Sequence, residues 1–220
     1  MQKLLKRVYV WEFPVRLTHW LNTLSILTLM LTGYYIGDPF ISVSGEGRFV
    51  MGWVRFAHFV SAYVFTVSTA VRVYWAFMGN RYANWRVFLP FSAEKSVRLI
   101  NQMLYYSFLT KKKPFYVGHN PLAGLTYLML FALYIVAIIT GFAHYSLYNP
   151  GGLYGTLFGW VFLLMTGPSV RLIHHMAMWL LVYFILIHIY LAILTDSMDK
   201  SGLMGSIFTG HKFVYPEVKE

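Results

Sequence analysis

Four stretches of this 220-residue chain are apolar for about 20 residues or more, at roughly 17–36, 53–77, 121–143 and 171–195, and nothing else in the sequence constrains the fold as tightly. A helix needs about 20 such residues to cross a bilayer core, where lipid offers no partner to a backbone that does not satisfy itself. Charged residues are 12% of the chain, against about 25% in soluble domains, and mean hydropathy is +0.55. The expectation is an all-α integral membrane protein, a single membrane domain over 1–220 built as a four-transmembrane-helix bundle. The apolar piece from Thr156 to Thr166 has 11 residues, too few to cross, and reads as interfacial or re-entrant. No internal repeat is visible.

The formal charge of +10 does not indicate nucleic acid in so apolar a chain; it indicates cationic loops on one side of a membrane. Lys3, Lys6, Arg7 and Arg16 precede or open the first span. Arg81, Arg86, Lys95, Arg98, Lys111, Lys112 and Lys113 lie in the 78–120 loop, and Lys200, Lys212 and Lys219 in the 196–220 tail. The two opposite loops offer Arg48, with Arg55 and Arg171 at helix ends. The positive-inside rule places both termini, the loop and the tail in the cytoplasm of a bacterial or archaeal cell, the protein being multi-pass in its cytoplasmic (inner) membrane. An amphipathic helix is expected on the membrane surface from Ala93 to Phe108. The first span lacks a small-residue cleavage pattern after its apolar core and reads as a retained helix. With no cysteine, disulfides, thiolate-bound iron-sulfur clusters and c-type haem attachment are excluded.

Ionisable residues at membrane depth are costly, so each histidine inside a span is a functional candidate. His174 and His188 are 14 residues apart, close to four helical turns and about 21 Å, on one face at opposite depths. His175 points about 140° away from His188. The alternating directions of the spans put His58 near the outer end of the second and His19 at the inner end of the first. Two pairs follow: His58 with His174 outside, His19 with His188 inside. Two histidines per level is what bis-imidazole ligation of two stacked b-type haems requires, bound between helices 1, 2 and 4.

Gly33 lies 14 residues after His19 and Arg72 lies 14 after His58, each on its histidine's face at the other level. The glycine would let a porphyrin approach the helix, and the arginine would pair with a propionate. R-x-x-H occurs three times, as Arg16 with His19, Arg55 with His58 and Arg171 with His174. At i, i+3 both side chains share a face, with the arginine nearer the membrane surface, where it would meet propionates or simply snorkel. Zinc or copper would find two ligands at each level with no carboxylate or thiolate to complete a site, whereas haem needs only two. Met176 and Met178 adjoin His174 as alternative axial ligands, though methionine in an apolar helix usually packs. His144, at the outer end of the third span, reads as a solvated histidine.

The run P-V-R-L-T-H-W (Pro14 to Trp20), with T-G-Y-Y-I-G (Thr32 to Gly37), S-G-E (Ser44 to Glu46), M-G-W-V-R-F-A-H-F (Met51 to Phe59), R-V-Y-W-A-F-M-G-N-R-Y (Arg72 to Tyr82), G-H-N-P-L-A (Gly118 to Ala123), I-H-H-M-A-M-W (Ile173 to Trp179), H-I-Y (His188 to Tyr190) and G-H-K-F (Gly210 to Phe213), resembles the b-type cytochrome subunit of membrane-bound nickel-iron hydrogenases. Formate dehydrogenase gamma subunits share the four-helix di-haem plan. The chain departs from the family's pattern at Gly167 to Val170, where many relatives carry a further histidine, and at Ala177, where they carry glycine. The resemblance implies a membrane anchor that takes electrons from the iron-sulfur clusters of a periplasm-facing hydrogenase small subunit, and through it the large subunit, and passes them through haem b to quinone. His58 and His174 match the outer ligands and His19 and His188 the inner ones; the outer site, shallow against a solvent-facing loop, is the one expected to lose its haem. It also implies a quinone site beside the inner haem at His119, Asn120 and Gly124. Asn120 before Pro121 equally suits a helix start. Two other functions stay open: a cytochrome b for another quinone-linked dehydrogenase such as formate dehydrogenase, and a transporter or proton channel whose histidines relay protons.

Overall fold

The computed structural model describes residues 6–40, 49–88, 93–107, 109–110 and 121–214. The protein is mostly helical. Four long helices, α1 (Phe13–Gly37), α2 (Val50–Met78), α4 (Pro121–Ser146) and α7 (Gly167–Asp199), contain the four apolar stretches, and shorter helices join them: α3 (Ala93–Tyr106), α5 (Leu153–Phe158), α6 (Val161–Leu164) and α8 (Leu203–Thr209). Each long helix runs past its apolar stretch. Proline stands in the first turn of three of them (Pro14, Pro121 and Pro168), where its fixed φ suits a helix and its missing N–H costs nothing.

Three helices, α2, α4 and α7, are long and apolar enough to cross a membrane. The fourth, α1, has the length at 25 residues, but Thr18, His19, Asn22, Thr23 and Ser25 dilute its first half. Large apolar side chains point outward along these helices, among them Leu31 (75% exposed) and Tyr183 (65%). Such surfaces suit lipid rather than water.

The amphipathic helix anticipated in the long loop is present as α3, with Val97, Ile100 and Leu104 exposed along one face. The 156–166 stretch is divided between α5 and α6. A departure from the all-α expectation is a two-stranded antiparallel sheet of β1 (Lys6–Tyr9) and β2 (His211–Val214), in register Lys6 with Val214 through Tyr9 with His211.

The chain forms two compact units, each assembled from separate segments. One comprises Met1–Leu17, Val71–Ala132 and Ile187–Glu220. Its core is Val10, Trp11, Val15, Ala83 and Val214, with Val8, Trp75 and Tyr82 packed on it. Glu12 Oε2 accepts hydrogen bonds from the Trp75 indole (2.9 Å) and the Asn80 backbone N–H (2.8 Å), and the Asn80 amide donates to the Val10 carbonyl (3.1 Å). The Trp11 indole donates to Ser206 (2.9 Å). Gly210 turns from α8 into β2 at φ 83°, and its carbonyl accepts from the N–H groups of Val10 (2.8 Å) and Trp11 (3.0 Å). The G-N-R-Y and G-H-K-F runs thus have a structural task in this unit.

The second unit comprises Thr18–Ala70 and Leu133–Leu186. Ala143, Val161 and Val170 form one buried cluster, and Phe65 meets Tyr134 edge-on at 4.8 Å between ring centroids. Ser68 donates to the Thr18 carbonyl (3.3 Å). Such polar contacts between helices hold where apolar burial gives no drive in lipid.

Candidate functional site

In the second unit His58 on α2 and His174 on α7 face each other, ring centroids 6.5 Å apart and planes at 66°. An imidazole nitrogen bonded to a transition metal at about 2.0 Å places its ring centroid about 3 Å from the metal, so trans imidazoles bring their centroids to roughly 6 Å. The pair has that separation.

Which nitrogen faces inward follows from the neighbouring hydroxyls. Thr32 Oγ1 on α1 is 2.6 Å from the Thr28 carbonyl and 2.9 Å from His58 Nδ1. Thr140 Oγ1 on α4 is 2.6 Å from the Val136 carbonyl and 2.9 Å from His174 Nδ1. A hydroxyl has one proton, and a carbonyl only accepts, so the proton goes to the carbonyl and the oxygen accepts from Nδ1–H. Both imidazoles are therefore Nδ1–H tautomers, which leaves the Nε2 lone pair as the free donor.

Glycine makes the close approach possible. A β-carbon on Gly33 would stand 3.3 Å from His58 Cε1, and one on Gly141 3.1 Å from His174 Cε1. The group that stands against Gly33 in this structure is the imidazole of His58.

These residues line a cavity of about 570 Å³, within the usual range for cofactor pockets. Its wall is apolar over Ile26, Leu29, Ala62, Phe65 and Leu181, and carries Arg55, Arg171, His144 and His175. Met178 lines it too, whereas Met176 is exposed. His144 thus stands in the cavity wall instead of in solvent as the sequence suggested. Its Nε2 is buried with no hydrogen-bond partner among the described residues. Gly37 is also close-packed: a β-carbon there would meet His175 Cε1 at 2.7 Å.

Among the described residues no three or more His, Cys, Asp or Glu side chains cluster to hold a metal ion. An imidazole pair with inward lone pairs in an apolar cavity with cationic side chains fits a haem, which brings four nitrogens and two anionic propionates of its own. Thr32 entered the sequence reading only as the start of the T-G-Y-Y-I-G run, with no role of its own, and Thr140 and Gly141 were not picked out. Thr-Gly occurs four times in the chain, so the dipeptide alone has little specificity.

The other expected residues divide between the units. His19 is half-buried in the second unit, with the Trp20 ring edge-on at 5.2 Å. His188 belongs to the first unit, edge-on to Tyr127 at 6.5 Å. Arg72, also in the first unit, is 9% exposed, with its guanidinium 5.6 Å from the Phe88 ring and 5.9 Å from Phe131. Its Nη1 has no hydrogen-bond partner among the described residues, an unmet donor of the kind a propionate would satisfy. Arg16 donates to the Phe208 carbonyl. Gly124 is buried one turn before Tyr127, while His119 and Asn120 lie outside the described residues.

The prokaryotic cytochrome b561 family model matches residues 10–210. The chain is 40% identical over 213 residues to the "Probable Ni/Fe-hydrogenase B-type cytochrome subunit" of Rhizobium leguminosarum bv. viciae, covering 93% of this chain and 88% of that relative. It is 39% identical over 219 residues to the like-named protein of Cupriavidus necator, covering 96% and 88%. It is 37% identical over 216 residues to the "Probable Ni/Fe-hydrogenase 1 B-type cytochrome subunit" of Escherichia coli (strain K12), covering 93% and 92%. The chain belongs to the prokaryotic cytochrome b561 family, with the B-type cytochrome subunits of Ni/Fe hydrogenases as its relatives.

Proposed function

We propose that this protein anchors a nickel-iron hydrogenase to the cytoplasmic membrane and carries electrons from the small subunit's iron-sulfur clusters through b-type haem to quinone. The observation that carries this is the His58–His174 pair, 6.5 Å between ring centroids with both Nδ1 atoms held by threonine hydroxyls. His19 and His188 are assigned to a second, inner haem on their depths in the sequence. A haem held there would supply a one-electron couple. The protein's part is to bind and orient it: imidazoles for the iron, Arg55 and Arg171 for the outer propionates, Arg16 and Arg72 for the inner ones, and apolar walls to exclude water. Reduction of quinone on this subunit is assigned to the region of His119, Asn120 and Gly124.

Four crossings are part of this reading. The pairing of β1 with β2 supports an even number, because strands on opposite sides of a bilayer cannot hydrogen-bond. Three apolar helices alone would separate them, so α1 is taken as the fourth span. The cationic loop and tail assign the sheet to the cytoplasm and the His58–His174 level to the periplasmic side.

The test is a reduced-minus-oxidised spectrum with a pyridine haemochrome count on purified protein. About two b-type haems per chain are expected, falling by one in His58→Ala and in His174→Ala. An unchanged haem-to-protein ratio in both variants defeats the ligand assignment, and a colourless wild type restores the proton-relay alternative. Co-purification from native membranes names the partner: a formate dehydrogenase there overturns the hydrogenase assignment.

A further inference from the structure

The same two-residue device occurs on α1 and on α4. Thr32 and Thr140 each reach a histidine Nδ1 on another helix at 2.9 Å, and the glycine that follows each threonine leaves the imidazole room against the backbone. A threonine in an apolar helix commonly spends its hydroxyl on the carbonyl four residues back, and both do so here at 2.6 Å. The second contact sets these two apart.

Because each hydroxyl proton is already engaged, neither oxygen can donate to a histidine. Each presents only lone pairs to Nδ1, and the carbonyl hydrogen bond polarises the hydroxyl so that those lone pairs accept more strongly. Three consequences follow for each imidazole. The tautomer with the proton on Nε2 would lose its hydrogen bond at Nδ1; the ring is kept from turning about χ2; and the N–H is drawn toward the acceptor, which makes Nε2 a better electron donor to a metal.

We propose that Thr32 and Thr140 are positioning residues for the two axial ligands, fixing the Nδ1–H tautomer of His58 and His174 and setting the reduction potential of the haem they hold. This rests on the reading that His58 and His174 ligate a haem. The donor strength that the hydroxyls confer favours the ferric state, so their loss raises the potential. Outer hydrogen-bond partners of metal-bound histidines typically contribute 10- to 100-fold to metal affinity. A tenfold loss confined to the ferric form moves a one-electron couple by about 59 mV.

The experiment uses the full chain with haem bound and compares Thr32→Val and Thr140→Val, which keep the shape and remove the hydroxyl, with Thr32→Ser and Thr140→Ser, which retain it. The readouts are redox titration of each haem and the low-spin ferric electron paramagnetic resonance spectrum. The expected result is a more positive potential and shifted g-values for the His58–His174 haem in each valine variant, with the serine variants returning toward wild type and the second haem unmoved. Loss of that haem in a valine variant but not in its serine counterpart gives the same support. Unchanged potentials and g-values in both valine variants overturn the proposal, as does equal loss in valine and serine. Failure of the underlying reading is separable: the wild type would then show no bis-imidazole haem that His58→Ala or His174→Ala removes.

Discussion

The absent β-carbon of Gly141 would stand 3.1 Å from Cε1 of His174, closer than an ordinary van der Waals contact allows. Gly141→Ala then requires the imidazole to give by a few tenths of an ångström, and a displaced visible spectrum with haem retained is expected. Gly141→Leu has no such accommodation in a packed interior, and the haemochrome count should fall by one per chain. A leucine variant that keeps its full haem count would show that the ring does not need this close approach.

Arg72 offers a prediction in potential. Its buried guanidinium lies against Phe88 and Phe131 with Nη1 unmet among the described residues, so a nearby haem would feel its charge. Arg72→Gln should make one haem potential more negative, because a cation favours the form with the extra electron, and Arg72→Lys should largely restore it. If redox titration finds both potentials unmoved in Arg72→Gln, the arginine serves only its aromatic neighbours.

Gly210 has the left-handed φ of 83°, and a β-carbon there would lie 2.7 Å from the Trp11 carbonyl and 2.6 Å from the Tyr9 ring. Gly210→Ala should cost about 1–2 kcal/mol from the backbone alone, more with the clash, and lower the thermal unfolding midpoint. Gly205→Ala is the control, since a β-carbon there meets nothing within 4 Å and alanine favours a helix by up to about 1 kcal/mol. Equal midpoints for the two variants would contradict the assigned role of Gly210.

Glu12 holds two donors, the Trp75 indole in the last turn of α2 and the Asn80 N–H just beyond that helix. Glu12→Ala leaves the Trp75 and Asn80 N–H groups without it, and a loss of about 1–3 kcal/mol is expected in denaturant unfolding. Glu12→Gln, which keeps an acceptor oxygen, should lose less.

Lys212 on β2 is buried, and burial holds its ammonium below the ordinary lysine value of 10.5, with Asp199 and Asp196 pulling the other way. Between the lowered folded value and 10.5 the unfolded chain binds more protons than the folded one, so this group's contribution to stability rises with pH across that window. Thermal midpoints measured on the alkaline side should climb more steeply in wild type than in Lys212→Met. Parallel pH profiles would remove Lys212 as the source.

The helices and the His58–His174 pair were legible in the sequence because their physics is periodic: uninterrupted apolar length marks a span, and 3.6 residues per turn converts spacing into depth and face. Thr32 and Thr140 were not, since a threonine bonded to its own helix and one that also holds a neighbour's histidine look alike along the chain. The β1–β2 sheet was hidden for another reason. Its four-residue strands carry Lys6, Arg7, His211 and Lys212, which read as polar tail, and their pairing joins segments about 200 residues apart with no local signal. In α1 the dilution by Thr18, His19 and Asn22 weakens the apolar signal, and the even number of crossings that the β1–β2 pairing favours, not hydropathy, supports the span.

The pairing of Lys6–Tyr9 with His211–Val214 also has a consequence in time. At 5–20 residues per second, the ribosome takes roughly 10 to 40 s to travel from the first strand to the second. For that interval every membrane helix can insert while β1 waits. Among the described elements the sheet is the last that synthesis allows, so its full closure marks a chain translated through Val214. A product released earlier leaves Lys6–Tyr9 without its strand partner, distinguishable to a protease from a chain whose strands are paired.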